Sequence, residues 1–365
     1  MAKPRRVPGI LGLIALGITA CIAIRALCKY SGLVAFQPPT ETRKGKTNIL
    51  IISNARSGSS YLGQIFNHHP QVFYIYEPLI TFQVTSVRNS SLYEQTALGL
   101  LRDIFNCRFK QQTEFLSFMS HMQLNRFSSH AFTSPYCKNI TNAKDNRITI
   151  YCKDLDPLIT SLSCSLHSHT VVKVLAHRLP FLDVDRLQRL LARDRDNLKI
   201  IHLMRDPRAV IASMDRVGWG LETSAVKMAT TNFSHFTNLV QKFCSNSIRT
   251  LRLALLAESK FPDRYKLVRY EDLVKLPLNV SQGLFDFTGI PMSDQVMNYL
   301  NSGTQSRDSG ANHAYGTLRK NASLLIDAWR NQFSNEAVRM VESQCWPVLE
   351  ILRYTPIHSP VLLGT

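Results

Sequence analysis

The chain has no Cys-x2-Cys pair and no His-x3-His cluster, which removes the common zinc arrangements. It has no Gly-x4-Gly-Lys-Ser/Thr loop and no evident magnesium carboxylate after a strand, which argues against an ordinary nucleotide hydrolase or P-loop kinase. No internal repeat and no long low-complexity tract interrupts it, so solenoid and disordered classes fall away. Acidic residues are also scarce. There are 26 Asp+Glu against 43 Lys+Arg, a formal net charge of +17. Five of those cations (Lys3, Arg5, Arg6, Arg25, Lys29) belong to the N-terminus, and the remainder is still strongly basic. Such an excess favours polyanionic partners.

Charge is wholly missing from Val7 to Ile24, an apolar stretch of 18 residues. It is long enough to span a thin early secretory membrane. Lys3, Arg5 and Arg6 precede it, and no small-x-small cleavage site follows. The expected arrangement is a signal anchor with a cytosolic N-terminus and a lumenal body. The chain divides into a tail (1–6), a membrane span (7–28), a stem containing Pro38-Pro39 (29–46) and a body (47–360).

Asn-x-Ser/Thr sequons at Asn89, Asn139, Asn232, Asn279 and Asn321 agree with a lumenal body. So do the six cysteines Cys107, Cys137, Cys152, Cys164, Cys244 and Cys345. In an oxidising compartment they allow up to three disulfides, and sequence does not choose the pairing. In the lumen the basic body points to anionic glycans or a highly charged nucleotide, not to nucleic acid.

The apolar runs Ile49–Ile52, Thr170–Leu175, Leu198–Met204 and Tyr265–Val268 predict strands, and helical patterns separate them. These include Leu92–Phe105, Val184–Leu191, Ala209–Met214 and Ala225–Ala257, the last as more than one helix. Near-continuous apolar strands alternating with helices predict an α/β fold, a parallel sheet covered by helices on both faces. The polar stretch from about Asn106 to Ser168 holds four cysteines. It is expected to be a disulfide-stapled insertion, with acceptor recognition as its candidate role.

Two strand ends carry polar loops. After Ile49–Ile52 come Ser53 to Ser60 and then the amphipathic Tyr61 to Phe66. A strand, tight loop and helix start in this order aim backbone N–H groups at one point, a phosphate-holding arrangement. Arg56 offers a planar fork to oxyanions, and Ser57, Ser59 and Ser60 add hydroxyls around Gly58. The plain alternative is a Ser/Gly turn with Ser59 as the helix N-cap. The second loop follows Leu198–Met204, with Asp206 suited to the N-cap and Pro207 to the first helical position. Arg205 and Ser213 are placed to meet one phosphate from two sides, with Arg208 flanking the helix start. The alternative is a capped helix whose arginines pair with carboxylates.

Taken together, Thr47–Asn67, Val72–Leu79, Leu203–Ser213 and Leu267–Leu273 resemble the Golgi carbohydrate sulfotransferases, specifically the galactose/N-acetylglucosamine/N-acetylgalactosamine 6-O-sulfotransferases. A looser match is Tyr315–Arg319 followed by Trp329, where this chain carries an additional Lys320. The resemblance runs from about Thr47 to about Tyr354. It implies a P-loop-type sulfotransferase fold and 3′-phosphoadenylyl sulfate as the sulfuryl donor, with no metal. The family's 5′-phosphosulfate loop falls on Ala55, Arg56, Ser57, Gly58, Ser59, Ser60 and Tyr61. Its 3′-phosphate segment falls on Arg205, Asp206, Pro207, Arg208, Ala209, Val210, Ile211, Ala212 and Ser213, with Arg205 and Ser213 as direct contacts. Arg319 would reach a phosphate, and Trp329 would help close over the nucleotide.

Arg56 and Glu77 are the implied catalytic residues, Glu77 as the base toward a sugar 6-hydroxyl, and the alternative for Glu77 is pairing with Arg56. Lys173 is either a ligand-facing residue or an ordinary edge-strand lysine, and His202 is expected to pack. Arg269, Glu271 and Asp272 form an expected structural charge cluster. The resemblance further implies a single-pass type II Golgi membrane protein acting on glycans of glycoproteins or proteoglycans, such as keratan-type chains, and it leaves room for a homodimer. The rival class is a lumenal glycan-binding protein that keeps the fold without catalysis.

Overall fold

The computed structural model describes residues 46–83, 91–134, 136–141, 148–180, 198–216, 233–305 and 326–358. All belong to one unit, Gly45–Thr365. The expected membrane span, the helix at Val184–Leu191, the Tyr315–Arg319 segment and the sequons at Asn89, Asn232 and Asn321 lie outside the described residues. Among the described residues no helix is long and apolar enough to cross a membrane.

The strands in chain order are β1 (Thr47–Ser53), β2 (Val72–Tyr76), β3 (Cys137–Thr141), β4 (Ile148–Cys152), β5 (His169–Leu175), β6 (Leu198–Met204) and β7 (Tyr265–Arg269). Five of them form a parallel sheet in the order β2-β5-β1-β6-β7. The four expected apolar runs are all in it, and β1 is its central strand. Alternation along each strand sends side chains to opposite faces. Leu50 and Ile52 pack with Phe73, Ile75, Val172 and Val174 in one apolar cluster. Ile49 and Ile51 pack with Val72, Tyr74, Val171 and Ile201 in another. Burial on both faces is why these strands read as unbroken apolar runs.

The helices are α1 (Ser59–Asn67), α2 (Ser91–Phe105), α3 (Thr113–His121), α4 (Gln123–Phe127), α5 (His130–Thr133), α6 (Pro157–Leu166), α7 (Pro207–Arg216), α8 (Phe233–Lys260), α9 (Tyr270–Lys275), α10 (Pro277–Thr288), α11 (Asp294–Gln305), α12 (Asn335–Gln344) and α13 (Trp346–Ile351). The described part of the expected Ala225–Ala257 region is one uninterrupted helix, α8, and residues 225–232 lie outside the described residues. No Gly or Pro lies within Phe233–Lys260 to break it.

All six cysteines of the body are paired, as Cys107–Cys164, Cys137–Cys152 and Cys244–Cys345. The first closes the ends of the expected insertion, and the second joins the antiparallel pair β3–β4. The third ties α8 to the residue between α12 and α13, closing a loop of sequence separation 101. In the chain-entropy picture a loop of that length is worth about 4–5 kcal/mol.

Candidate active site

In a parallel sheet the crevice for a ligand lies beyond the carboxyl ends of the strands, where connections part to either side. Here β1 ends at Ser53 with Leu175 of β5 on one side and Leu203 of β6 on the other. The loop that follows turns into α1 through Gly58, whose φ is 86°. Gly58 therefore holds the N-cap position, and Ser59 is the first helical residue. This corrects the expectation of a Ser59 cap. A Cβ at Gly58 would lie 2.2 Å from the Tyr270 ring, so glycine is required there twice over.

No side chain caps α1, so the Ser59 and Ser60 amides of its first turn are available to an anion, while the Tyr61 amide donates to the Gly58 carbonyl at 3.0 Å. Arg56 sits in the left-handed region, at φ 62°, a conformation that costs energy outside glycine and clusters at ligand clamps. Its Nε donates to Ser213 Oγ at 3.1 Å, and its carbonyl accepts from Arg205 Nη1 at 3.0 Å. Arg205 stacks over Tyr270 at 4.5 Å. The two sequence motifs are thus joined at one place. Ser60 Oγ lies 3.2 Å from Tyr76 Oη. Burial pushes the Tyr61 phenol up to about 12, with Tyr270 adding to it, so it stays a neutral hydroxyl.

The hydroxyls of Ser53 and Ser57 are buried and have no hydrogen-bond partner. Buried polar groups are nearly always satisfied, and an orphan needs an explanation. An oxyanion bound on the loop supplies one. The residues present thus fit the 5′ phosphosulfate of 3′-phosphoadenylyl sulfate. They would hold it with the Ser57 hydroxyl, the α1 amides and the Arg56 guanidinium, and the 3′ phosphate with Arg205 and Ser213.

The rest of the second motif behaves differently. Asp206 does cap α7, accepting from the Arg208 amide at 2.9 Å, and Pro207 opens the helix. Arg208, however, is buried away from the loop. It pairs with Asp206 at 2.7 Å and Glu342 at 2.6 Å, donates to the Thr355 carbonyl and stacks on Trp329 at 4.2 Å. Ala209, Ile211 and Ala212 fill an apolar cluster with Trp329, and Val210 is buried. Arg208 to Ala212 therefore form the packed base of the motif and not its ligand-facing part. Trp329 is likewise a core residue, which corrects the expectation that it closes over a nucleotide. Arg319 lies outside the described residues.

Glu77 follows β2 with φ 48°, and its amide donates to the Lys173 carbonyl at 2.8 Å. Its carboxylate pairs with Lys173 through one oxygen and with Arg178 through the other. Lys173 is not on an edge strand, because β2 covers β5. Burial, and then the nearby charge of Arg56, hold its ammonium well below the usual lysine range. Burial also lowers Arg178, to about 10. Sequence reasoning missed Arg178 and Tyr270. The only available signal for either was its position just beyond a strand end.

His202 packs as expected, buried, with Nδ1 2.8 Å from Tyr265 Oη. Glu271 accepts from the Asp206 amide at 3.1 Å and from Tyr354 Oη at 2.7 Å, and Arg269 pairs with Asp272 at 3.5 Å. That is the expected structural cluster. Among the described residues no group of three or more His, Cys, Asp or Glu could hold a metal ion.

A family model described as the sulfotransferase family matches residues 48–294. The chain belongs to the sulfotransferase family. Carbohydrate sulfotransferase 1 of Danio rerio is 30% identical over 340 residues, covering 86% of this chain and 79% of that one. Carbohydrate sulfotransferase 5 of Mus musculus is 30% identical, covering 86% and 82%. Carbohydrate sulfotransferase 6 of Homo sapiens is also 30% identical, covering 87% and 82%. The matched span of the family model includes both strand-end loops, Glu77 and Lys173.

Proposed function

We propose that this chain is a carbohydrate 6-O-sulfotransferase. In this reading it moves a sulfuryl group to the 6-hydroxyl of galactose, N-acetylglucosamine or N-acetylgalactosamine in glycans such as keratan-type or N-acetyllactosamine chains. It works in the Golgi lumen, held by the N-terminal apolar segment as a type II membrane protein. The observation that carries the proposal is the unpartnered, buried Ser57 hydroxyl on a left-handed loop that Arg56 ties to Ser213 and Arg205.

The donor, 3′-phosphoadenylyl sulfate, supplies an activated sulfuryl group on its 5′ phosphate. The chain's own residues do the rest. Transfer of this kind passes through a loose transition state, so positioning and charge stabilisation dominate. Arg56 and the amides of Gly58 to Ser60 stabilise negative charge at the loop, where a fixed donor acts without reorganising. Arg205 and Ser213 fix the register of the nucleotide.

Glu77 takes the proton of the sugar hydroxyl in this reading. Its carboxylate must release one of its two ion pairs to do so. Burial and Arg56 already disfavour the charged form of Lys173, so the Lys173 pair is the one that yields.

The test is transfer of labelled sulfate to a panel of galactose-, N-acetylglucosamine- and N-acetylgalactosamine-terminated glycans, with linkage analysis of the product. A 6-O-sulfated product is expected. Absence of transfer to every glycan by folded lumenal protein sinks the proposal and leaves the glycan-binding reading. Glu77→Gln is expected to lose rate while keeping its affinity for the desulfated donor, adenosine 3′,5′-bisphosphate.

A further inference from the structure

The helix α6 is built inside out. Its inward residues include Thr160 and Cys164, both fully buried. Its outward residues include Leu158, Leu162 and Leu166, which are 58%, 61% and 56% exposed, with Ile159 beside them. The three leucines recur at i, i+4 and i+8, so they form one row along the helix. No charged residue occurs between Pro157 and Leu166. A single exposed leucine needs no explanation, but a row of them marks a contact surface.

Polar and covalent links, not apolar packing of the leucines, fix α6 to the body. Asp156 caps it, accepting from the Leu158 and Ile159 amides at 2.8 Å each. Thr160 Oγ1 lies 2.8 Å from Tyr136 Oη, and Ser161 Oγ accepts from the Phe109 amide at 3.1 Å. Cys164 is bonded to Cys107. The leucine row is therefore held on the outside.

Two observations point to a lipid surface as its occupant. The first is where the chain enters the body. Lys46, the first described residue, donates from Nζ to the Cys164 carbonyl of α6 at 2.8 Å. The proposed anchor, with its charge-free stretch Val7 to Ile24, precedes that point in the sequence. Lys46 opens into β1, and α6 leads into β5 at His169. Both therefore lie toward the amino ends of the strands, away from the carboxyl ends that carry the Arg56 loop. The second observation is area. The exposed aliphatic side chains of α6 amount to a few hundred Å², against the roughly 800 Å² per partner that a stable dimer buries. That is little for a pair of copies. A tethered domain meets its membrane at high effective concentration, so a small contact suffices there.

We infer that the leucine row of α6 rests on the lumenal membrane surface, its side chains reaching the boundary between headgroups and acyl chains. The inference rests on the membrane-anchor part of the reading above and does not depend on the acceptor sugar. Docked in this way, the body turns the amino ends of its strands to the bilayer and the Arg56 loop to the lumen, where glycan chains are reached.

Full-length protein in phosphatidylcholine vesicles tests it, with the lipid brominated near the headgroup end of the acyl chain. Leu162→Trp places a reporter in the row. Leu276→Trp places one at a similarly exposed leucine beyond the carboxyl end of β7. Bromine is expected to quench the added fluorescence of Leu162→Trp roughly twofold, as for a helix lying at the interface, and to leave that of Leu276→Trp unchanged. Adding Leu158→Glu and Leu166→Glu to the Leu162→Trp protein should abolish most of the quenching. Binding of adenosine 3′,5′-bisphosphate should stay as in the native protein, which shows that the variants are folded.

Equal quenching of both reporters overturns the inference. So does an absence of quenching in a chain that stays with the vesicles through an alkaline wash, and so does quenching that survives the two glutamates. An unquenched but blue-shifted Leu162→Trp, with a shift that disappears on dilution into excess lipid, assigns the row to a second copy and overturns the inference as well. A chain that the alkaline wash strips from the vesicles overturns the anchor reading, and this inference with it.

Discussion

The ends of β1 and β6 look alike in sequence, each a strand running into an arginine-bearing loop and a helix, but they are finished in opposite ways. Beyond β1, the hydroxyls of Ser53 and Ser57 are buried without partners, α1 has no side-chain cap, and Arg56 is held in a left-handed conformation. Beyond β6, Asp206 caps α7, and Arg208 is matched by two carboxylates, a carbonyl and an indole ring. A region shaped for a ligand leaves polar groups for that ligand to satisfy. A region shaped for stability satisfies its own. Arg205, three residues from Arg208, lies with the first region in space, because its Nη1 reaches back to the Arg56 carbonyl.

The sharpest way to break this comparison is to remove Glu342. It pairs with Arg208 and accepts the amides of Ile357 and His358. Glu342→Ala should cost about 3–5 kcal/mol of unfolding free energy, because it breaks a buried ion pair, leaves Arg208 with Asp206 alone and strands the Ile357 and His358 amides. Denaturant unfolding measures this, and a loss under about 1 kcal/mol would show that Arg208 is not held as described.

Arg56→Ala should do the reverse. A lost transition-state donor lowers kcat/KM about 100- to 1000-fold, with little change in the unfolding midpoint. Unchanged sulfate transfer would mean that the β1 loop is not the site of charge stabilisation.

Acid should separate core from site. Burial depresses His202 to about 4, from an ordinary 6.5. The unfolded chain therefore binds a proton below pH 6.5 that the folded chain refuses until about pH 4. Stability falls across that window, on the order of 3 kcal/mol from this one residue. Thermal melts from pH 7 to pH 4 should show the decline, and His202→Phe should reduce it, leaving the share of His169, which burial likewise depresses to about 4.

The smallest effect is the most discriminating. Ser57→Ala removes an orphaned hydroxyl, so the ligand-free protein should be no less stable. Affinity for adenosine 3′,5′-bisphosphate should fall roughly tenfold, the worth of one hydrogen bond to a charged group. A stability loss with unchanged affinity would place Ser57 among the satisfied groups and erase the contrast.

Much of the fold was legible because its signals are local. Both faces of β1, β5 and β6 are buried, so each strand is an apolar run, and the Arg56 loop and the Asp206-Pro207 cap are local chemistry. Other features were not legible. Lys173 and Glu77 are 96 positions apart, and only the parallel register of β2 on β5, with Tyr76 opposite Lys173, brings them together. Trp329 reads as a ligand-facing aromatic until its core neighbours Ile211, Phe333 and Val338 are known. That Phe233 to Lys260 runs as one helix was not legible either, because the pattern alone does not show that one face lies along the apolar cluster through Phe236 and Val240.

The sequence by itself determined the two loop–helix turns, the residue types that suit an oxyanion, the even number of cysteines and the family. These depend on neighbours within a few positions, where backbone geometry and side-chain chemistry are fixed by the covalent chain. Only the tertiary structure decided which arginine faces the loop, which of fifteen cysteine pairings is made and what holds Glu77. Only it turned the leucine row of α6 outward and put Thr160 and Cys164 inside. Those are questions of burial and distance between segments far apart in the chain, and they are answered by how the sheet is ordered.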